Sequence, residues 1–272
     1  MSDRTGFSGS NGIALARIGG LPIAVINREA SAELMVRAAL AARGNTQPAL
    51  FITSANGQVI SDCARDPQLR AQFLTADLIH ADGMPLVFAS RIKGRHPLPE
   101  RVATTDLFHD VAHRAESAGA SFYLLGASAE VMERTVARVR AMYPRLNIAG
   151  YRNGYMAPDE ERAVIDEINA AAPDILWIGM GVPREIFFST RHRDRLTNVG
   201  LIKTSGGLFD FISGKNSRAP AWMQATGLEW LYRLSLEPRR LFRRYASTNL
   251  HAAYLLLFAP SEAIIQQPTG EA

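Results

Sequence analysis

Seven short apolar runs, spaced by stretches of helical periodicity, constrain this chain more than any other feature. They lie at 22–26 (PIAVI), 49–53 (ALFIT), 78–80, 121–125 (SFYLL), 146–149, 174–178 (DILWI) and 200–203 (GLIK). Each has strand length and is short for a buried helix. Between them, 130–143 places Val136, Val139 and Tyr143 on one helical face, with Ser128 able to cap the start. In 158–172 the stripe is Val164, Ile165, Ile168 and Ala172. Asp159, Glu160 and Glu161 stand in its first turn, where the helix dipole favours acids. Strand and helix alternating over short connections predict an α/β domain with a mainly parallel sheet flanked by helices. Ligands of such sheets sit beyond the carboxyl ends of the strands.

Five post-strand loops carry glycines or small polar residues. Ser54, Asn56 and Gly57 follow the second run; Asp82 and Gly83 follow the third; Gly126 follows the fourth. Gly181 and Pro183 follow 174–178, and Gly206 and Gly207 follow 200–203. Together they point to a nucleotide or other phosphate held by backbone N–H groups and helix N-termini. No Gly-Lys-Ser/Thr follows a glycine run, and Gly179-x-Gly181 is followed by Arg184 rather than by a dinucleotide fingerprint. An NAD cofactor is therefore disfavoured, and no cofactor is expected. Asp82 has two readings: a carboxylate shaping an Asp-Gly turn, or a general base at a strand end. Asp210 either closes a strand or caps the next helix.

Charge distribution says more than total charge. The formal net charge is +4, yet the segment from Lys215 to Tyr245 alone carries seven basic and two acidic residues, leaving the rest near neutral. Aromatics interleave with those arginines, a composition that suits an anionic lipid surface better than nucleic acid, which is not expected as a partner. The apolar stretch 250–259 is about half of the roughly 20 residues that a spanning helix needs, so it either lies in an interface or packs on the core. The single Cys63 excludes an intrachain disulfide. Six scattered histidines and the lack of HExxH or Asp-x-Asp give no metal site, so arginines must neutralise any pyrophosphate. The first twenty residues lack a secretory pattern, which implies the cytoplasm. The expected organisation is a flexible segment 1–20, an α/β catalytic domain 21–214, a basic helical appendage 215–259 facing a membrane, and a flexible tail 260–272.

Two long stretches carry a family resemblance. Residues 81–106 read ADGMPLVFASRIKGRHPLPERVATTD, and 206–245 contain RAP-x-WMQ, GLEWLYRL and EPRRL-x-RRY in order. Both resemble the signatures of the WecG/TagA/CpsF glycosyltransferases. The resemblance implies a Rossmann-like α/β fold with a C-terminal appendage that completes the site at a membrane. It implies a metal-independent, inverting transfer from a UDP-sugar to a polyprenyl-diphosphate-linked saccharide at the inner face of the cell membrane. The donor types are N-acetylmannosamine, its uronic acid or glucose. By position, Asp82 matches the catalytic base and Arg101 an active-site arginine. Arg218, Arg233, Arg239, Arg240, Arg243 and Arg244 match the appendage and its diphosphate or membrane contacts. Thr53 or Ser54, with Asn56, corresponds to a substrate loop, and Asp210 to a uridine or sugar contact. Gly83, Asp106, Gly126, Gly181, Pro183, Arg184, Glu185, Gly206 and Gly207 complete the substrate-binding set.

Two departures bear on the donor. Where the family commonly reads G-x-P-K-Q-E, this chain has Gly181-Val182-Pro183-Arg184-Glu185-Ile186, and Thr104 replaces a common glycine after Glu100-Arg101-Val102. Glu185 brings a negative charge to a sugar-contacting loop, which would repel a uronic-acid donor unless Arg184 compensates. A non-catalytic nucleotide- or lipid-binding adaptor of the same fold is the alternative to an enzyme. A homo-oligomer is left open.

Overall fold

The computed structural model describes residues 12–45, 47–93, 97–236, 238–259 and 263–264, with the side chains of 240, 241, 243, 244, 246, 263 and 264 outside that description. The expectations for residues 1–11 and 265–272, and for the side chains of Arg240, Arg243 and Arg244, lie outside the described residues.

The elements begin with β1 (Leu15–Ile18), β2 (Leu21–Ala24), α1 (Arg28–Ala41), β3 (Leu50–Ala55), α2 (Gly57–Arg65) and α3 (Pro67–Phe73). There follow β4 (Leu78–Ala81), α4 (Met84–Lys93), α5 (Thr104–Ala118), β5 (Ser121–Gly126), α6 (Ala129–Met142) and β6 (Asn147–Arg152). Next come α7 (Glu161–Ala171), β7 (Ile175–Gly179), α8 (Arg184–His192), β8 (Leu201–Thr204) and α9 (Leu208–Ile212). The chain closes with α10 (Ala221–Ala225), α11 (Glu229–Leu236), α12 (Pro238–Phe258) and β9 (Ala263–Ile264). Six strands form one sheet in the order β4-β3-β8-β7-β5-β6, and the pairs β3·β8, β8·β7, β7·β5 and β5·β6 are parallel. The α/β fold with a mainly parallel sheet is thus as the periodicity predicts.

The chain divides into two compact units. The first comprises Met1–Arg28, Ser54–Ala103 and Ala219–Ala272; the second comprises Glu29–Thr53 and Thr104–Arg218. In the second unit, β5, β7 and β8 are buried along their whole length. Continuous apolar runs of this kind belong to parallel strands covered on both faces. Trp177 of β7 packs edge-on against Phe108 of α5 with ring centroids 4.9 Å apart, and against Phe122 of β5 at 5.9 Å. Ser128 caps α6 as its position predicts, accepting from Val131 N at 3.4 Å.

In the first unit, α12 lies along α2. Among its described residues Tyr245, Thr248, Ala252 and Leu256 are buried, a stripe at helical spacing. The Ser61 hydroxyl and His251 Nδ1 are 3.0 Å apart, and Arg65 donates to the Ser247 carbonyl at 2.8 Å. Within 250–259, Ala252 and Leu256 pack on the core as one reading expects, while Leu250, Tyr254, Leu257 and Phe258 are exposed.

Four expectations need correction. The 22–26 run does not enter the parallel sheet; β2 pairs antiparallel with β1, Ile18 opposite Leu21, in a separate sheet ordered β2-β1-β9. Two residues join β1 to β2, which allows a hairpin, whereas a parallel pair needs a crossover of a dozen residues or more. Leu15–Ile18, assigned to a flexible leading segment, is consequently a strand. The 146–149 run extends as β6 to Arg152 at the sheet edge. The 158–172 helix starts at Glu161, because the Glu160 carboxylate turns back to accept from Ala157 N at 2.7 Å.

Candidate functional site

Within the first unit, three residues singled out by sequence meet at the end of β4. Asp82 N donates to the Ala55 carbonyl at 2.8 Å, which sets Asp82 beside Asn56 where β3 ends. Val102 N donates to the Ala81 carbonyl at 2.8 Å, so Asp82 and Arg101 flank one backbone hydrogen bond. Asp82 is half-buried and opens the turn into α4. Asn56 caps α2, its side chain accepting from Val59 N at 3.1 Å. Gly83 packs on Asn56; a Cβ at Gly83 would lie 3.6 Å from the Asn56 Cβ.

Arg101 is anchored by the C-terminal helices. Its Nη1 donates to Glu229 Oε2 at 2.8 Å and its Nη2 to Gln224 Oε1 at 3.1 Å. The side chains of Arg101 and Glu229 are 13% and 28% exposed, so this pair is shielded enough to hold geometry rather than merely to decorate a surface. Gln224 in turn donates to the Ala219 carbonyl at 2.7 Å, bracing the turn before α10. Glu229 and Gln224 are partners of Arg101 that spacing along the chain does not pick out. Both stand inside quoted motifs (WMQ and GLEWLYRL), which was the available signal; their pairing with Arg101 spans more than a hundred residues of chain and needs the fold.

Within the second unit, the loops after β5, β7 and β8 interlock. Gly126 lies so close to Gly179 that a Cβ there would fall 2.2 Å from the Gly179 carbonyl oxygen. Thr53, at the end of β3, is buried with its hydroxyl 2.7 Å from that of Thr204. Ser54 is half-buried and is the first residue of the other unit's segment. Pro183 follows a cis peptide bond, and Arg184 donates to the Met156 carbonyl at 3.1 Å. Gly207 caps α9 and is open on its Cβ side. Asp210 sits inside α9, rather than closing a strand, and accepts from Lys215 Nζ at 3.1 Å. Arg218 grips Asp106 with both guanidinium N–H groups, Nη2 to Oδ2 at 3.3 Å and Nη1 to Oδ1 closer still, so two predicted substrate-binding residues meet each other.

Glu185 departs most from expectation. Its carboxylate is 3% exposed and accepts backbone N–H groups instead of standing in the open loop. Oε2 accepts from Met180 N at 3.2 Å, Gly181 N at 3.0 Å and Gly206 N at 2.9 Å; Oε1 also accepts from Gly206 N at 3.1 Å. Burial pushes the Glu185 carboxyl up to about 7, against the pull of these N–H groups and of Lys203. Lys203 is itself fully buried in β8, its Nζ donating to the Thr204 carbonyl at 2.7 Å. A lysine ending an otherwise apolar run was a visible sign of such a partner, and it went unassigned.

The C-terminal helices expose large apolar side chains. Trp222, Trp230, Leu231, Leu236, Phe242, Leu250, Tyr254, Leu257 and Phe258 are all exposed, and Phe88 and Ile92 of α4 join them in the same unit. Arg239 is exposed and Arg233 half-buried beside them. Among the described residues no helix is long and apolar enough to cross a membrane, and no group of three or more His, Cys, Asp or Glu side chains is placed to hold a metal ion.

The chain matches the model of the Glycosyl transferase WecG/TagA/CpsF family over residues 16–263. It belongs to this family. It is 35% identical over 209 residues to the N-acetylglucosaminyldiphosphoundecaprenol N-acetyl-beta-D-mannosaminyltransferase of Bacillus spizizenii, covering 76% of this chain and 78% of that protein. Family and relative decide between enzyme and adaptor: the chain is a glycosyltransferase. Asp82, Arg101, Gln224 and Glu229 all fall inside the matched family span.

Proposed function

We propose that this glycosyltransferase moves a sugar from a UDP-sugar to a polyprenyl-diphosphate-linked saccharide, with inversion and without a metal ion. The observation that carries the reading is the cluster at the end of β4: Asn56, Asp82 and Arg101 brought together by two backbone hydrogen bonds, with Arg101 anchored by Gln224 and Glu229. Asp82 takes the proton of the acceptor hydroxyl as its oxygen attacks the anomeric carbon. The bond from that carbon to the UDP oxygen breaks on the opposite face, so configuration inverts and UDP leaves with the negative charge. Guanidinium groups offer fixed, paired N–H donors to that charge, the role assigned to Arg101. The glycine-containing loops after β7 and β8 hold the nucleotide through backbone N–H groups. The name of the Bacillus spizizenii relative favours an N-acetylmannosamine donor and an N-acetylglucosaminyl-diphosphate-polyprenol acceptor over the mannosaminuronate and glucose types.

A lipid-linked acceptor requires the enzyme to work at a membrane. The exposed aromatic and leucine side chains of α10–α12, with basic residues among them, suit the interface of an anionic bilayer. Each basic residue near such a surface contributes about 1 kcal/mol. The site of action is the inner face of the cell membrane, approached from the cytoplasm.

The decisive measurement incubates a panel of UDP-sugars with a lipid-linked acceptor and reads the product by mass spectrometry. Asp82→Asn, which keeps shape and removes the base, is expected to lower the transfer rate by about 10²–10⁴-fold with unfolding unchanged. Full activity in a folded Asp82→Asn protein sinks the assignment of the base. A chelator is expected to leave the rate unaltered; its loss would sink metal independence.

A further inference from the structure

Glu185 is a buried carboxylate that the reaction scheme leaves without a task. It lies in α8, and its oxygens reach two different loops: Met180 and Gly181 after β7, and Gly206 after β8. Gly181 and Gly206 both have left-handed backbone, with φ of +78° and +58°. Such residues lie outside helix and sheet ladders, and the N–H groups of both donate to the Glu185 carboxylate. Here one side chain serves both loops. The charged group facing it is the buried Lys203 of β8; the other groups acting on it are the backbone N–H groups of Met180, Gly181 and Gly206.

We propose that Glu185 is a positioning residue for the donor loops: its carboxylate ties the loop after β7 to the loop after β8, and gain or loss of one proton slackens or tightens the tie. An ionised carboxylate is acceptor-only and matches three converging N–H donors. A protonated one turns an O–H toward those donors and satisfies fewer of them. The inference rests on the assignment of these two loops to the donor nucleotide.

The direction of the pH effect follows from burial. With the carboxyl raised to about 7, the folded protein holds this proton more tightly than the unfolded chain does. The stabilisation is full below the ordinary carboxylate range and is lost as pH rises to about 7. Donor affinity runs the other way, rising through the same window as the carboxylate ionises. If only the ionised form binds, affinity falls by at most about tenfold per pH unit below the midpoint. Opposite slopes of stability and affinity from one group distinguish this device from a purely structural glutamate.

The test is calorimetric binding of UDP-glucose, whose diphosphate has no titrating proton near neutrality, at pH values from about 5.5 to about 8.5. For the wild type we expect affinity to rise through a midpoint near 7 while the melting temperature does not rise with it. Glu185→Gln places an amide N–H₂ against the Gly206 N–H; we expect about tenfold weaker binding and a flat pH profile, with KM for the donor raised more than kcat is lowered. Lys203→Met is expected to move the wild-type midpoint upward, because a cation favouring the ionised form is gone. A flat wild-type profile, or a Glu185→Gln protein matching wild type in affinity and pH dependence, overturns the inference and leaves the donor reading standing. Absence of UDP-glucose, UDP and other UDP-sugar binding to wild type at every pH takes down the donor reading and this inference with it. If Glu185→Gln does not fold, hydrogen exchange at the Gly181 and Gly206 amides of the wild type decides: protection rising through pH about 7 supports the tie, and unchanged protection overturns it.

Discussion

The buried strands of the second unit and the C-terminal helices of the first draw on the same apolar residues and use them oppositely. In β5 and β7, Phe122, Leu124, Leu125, Ile175, Leu176, Trp177 and Ile178 are wholly removed from water. In α10–α12, Trp222 is 62% exposed, Phe242 64% and Phe258 70%. Composition cannot tell these regions apart; periodicity can. A continuous run hides every side chain once helices cover both sheet faces. The helix α12 hides one stripe and leaves Phe242, Leu250, Tyr254, Leu257 and Phe258 outward. Exposed apolar side chains in such number call for a partner, and a lipid surface is the one that the proposed acceptor supplies.

This contrast can be broken by substitution. Removing the largest buried ring, Trp177→Ala, is expected to cost about 3–5 kcal/mol in chemical denaturation. A cost below about 1 kcal/mol would mean that the sheet interior relaxes as freely as a surface does. Next in size is Asp174, which accepts from Arg43 at 2.7 and 2.8 Å and from Ser121 N and Oγ at 2.6 and 2.8 Å. Burial works to raise its carboxyl, but the bonds from Arg43 and Ser121 outweigh it and hold the group below the usual range. A depressed carboxyl stabilises above the ordinary carboxylate range, and that stabilisation is lost as pH falls through its folded value. Asp174→Asn is therefore expected to cost about 2 kcal/mol near neutrality, with the difference from wild type narrowing in acid. A pH-independent cost would assign the effect to packing alone.

The smallest stability effect belongs to the outward face. Replacing Phe242, Leu250, Tyr254 and Phe258 together by serine is expected to leave the melting temperature nearly unchanged, each site contributing within about 0.5 kcal/mol. Binding to anionic vesicles should nevertheless be lost. Retained vesicle binding would show that these helices are not the membrane contact. Point substitutions are the better probe here than deletion of the tail, since α12 also buries Tyr245, Thr248, Ala252 and Leu256 along α2.

The reach of sequence differs between parts of the site. Asp82 and Gly83 were legible because a residue directly after a strand has its position set by local chain geometry, whereas Arg101 was legible only through the family resemblance. The parallel sheet was legible from strand-length runs alternating with helical stretches over short connections. The 22–26 strand was misassigned because an antiparallel hairpin and a parallel strand share one local pattern, and the connection length, two residues here, is what separates them. Glu185 was read as a charge facing the donor because its loop was visible but its burial was not.

By itself, then, the sequence determined the alternation of strand and helix, the loops that follow the strands, the basic C-terminal segment and the glycosyltransferase family. These depend on periodicity, turn chemistry and motif order, all written within a few tens of residues. Only the tertiary structure decided that Arg101 is held by Gln224 and Glu229, that Arg218 grips Asp106, that Thr53 pairs with Thr204, and that Glu185 spans two loops. Side-chain hydrogen bonds between distant segments reach about 3 Å, a precision that spacing along a chain cannot supply and that packing of the elements does.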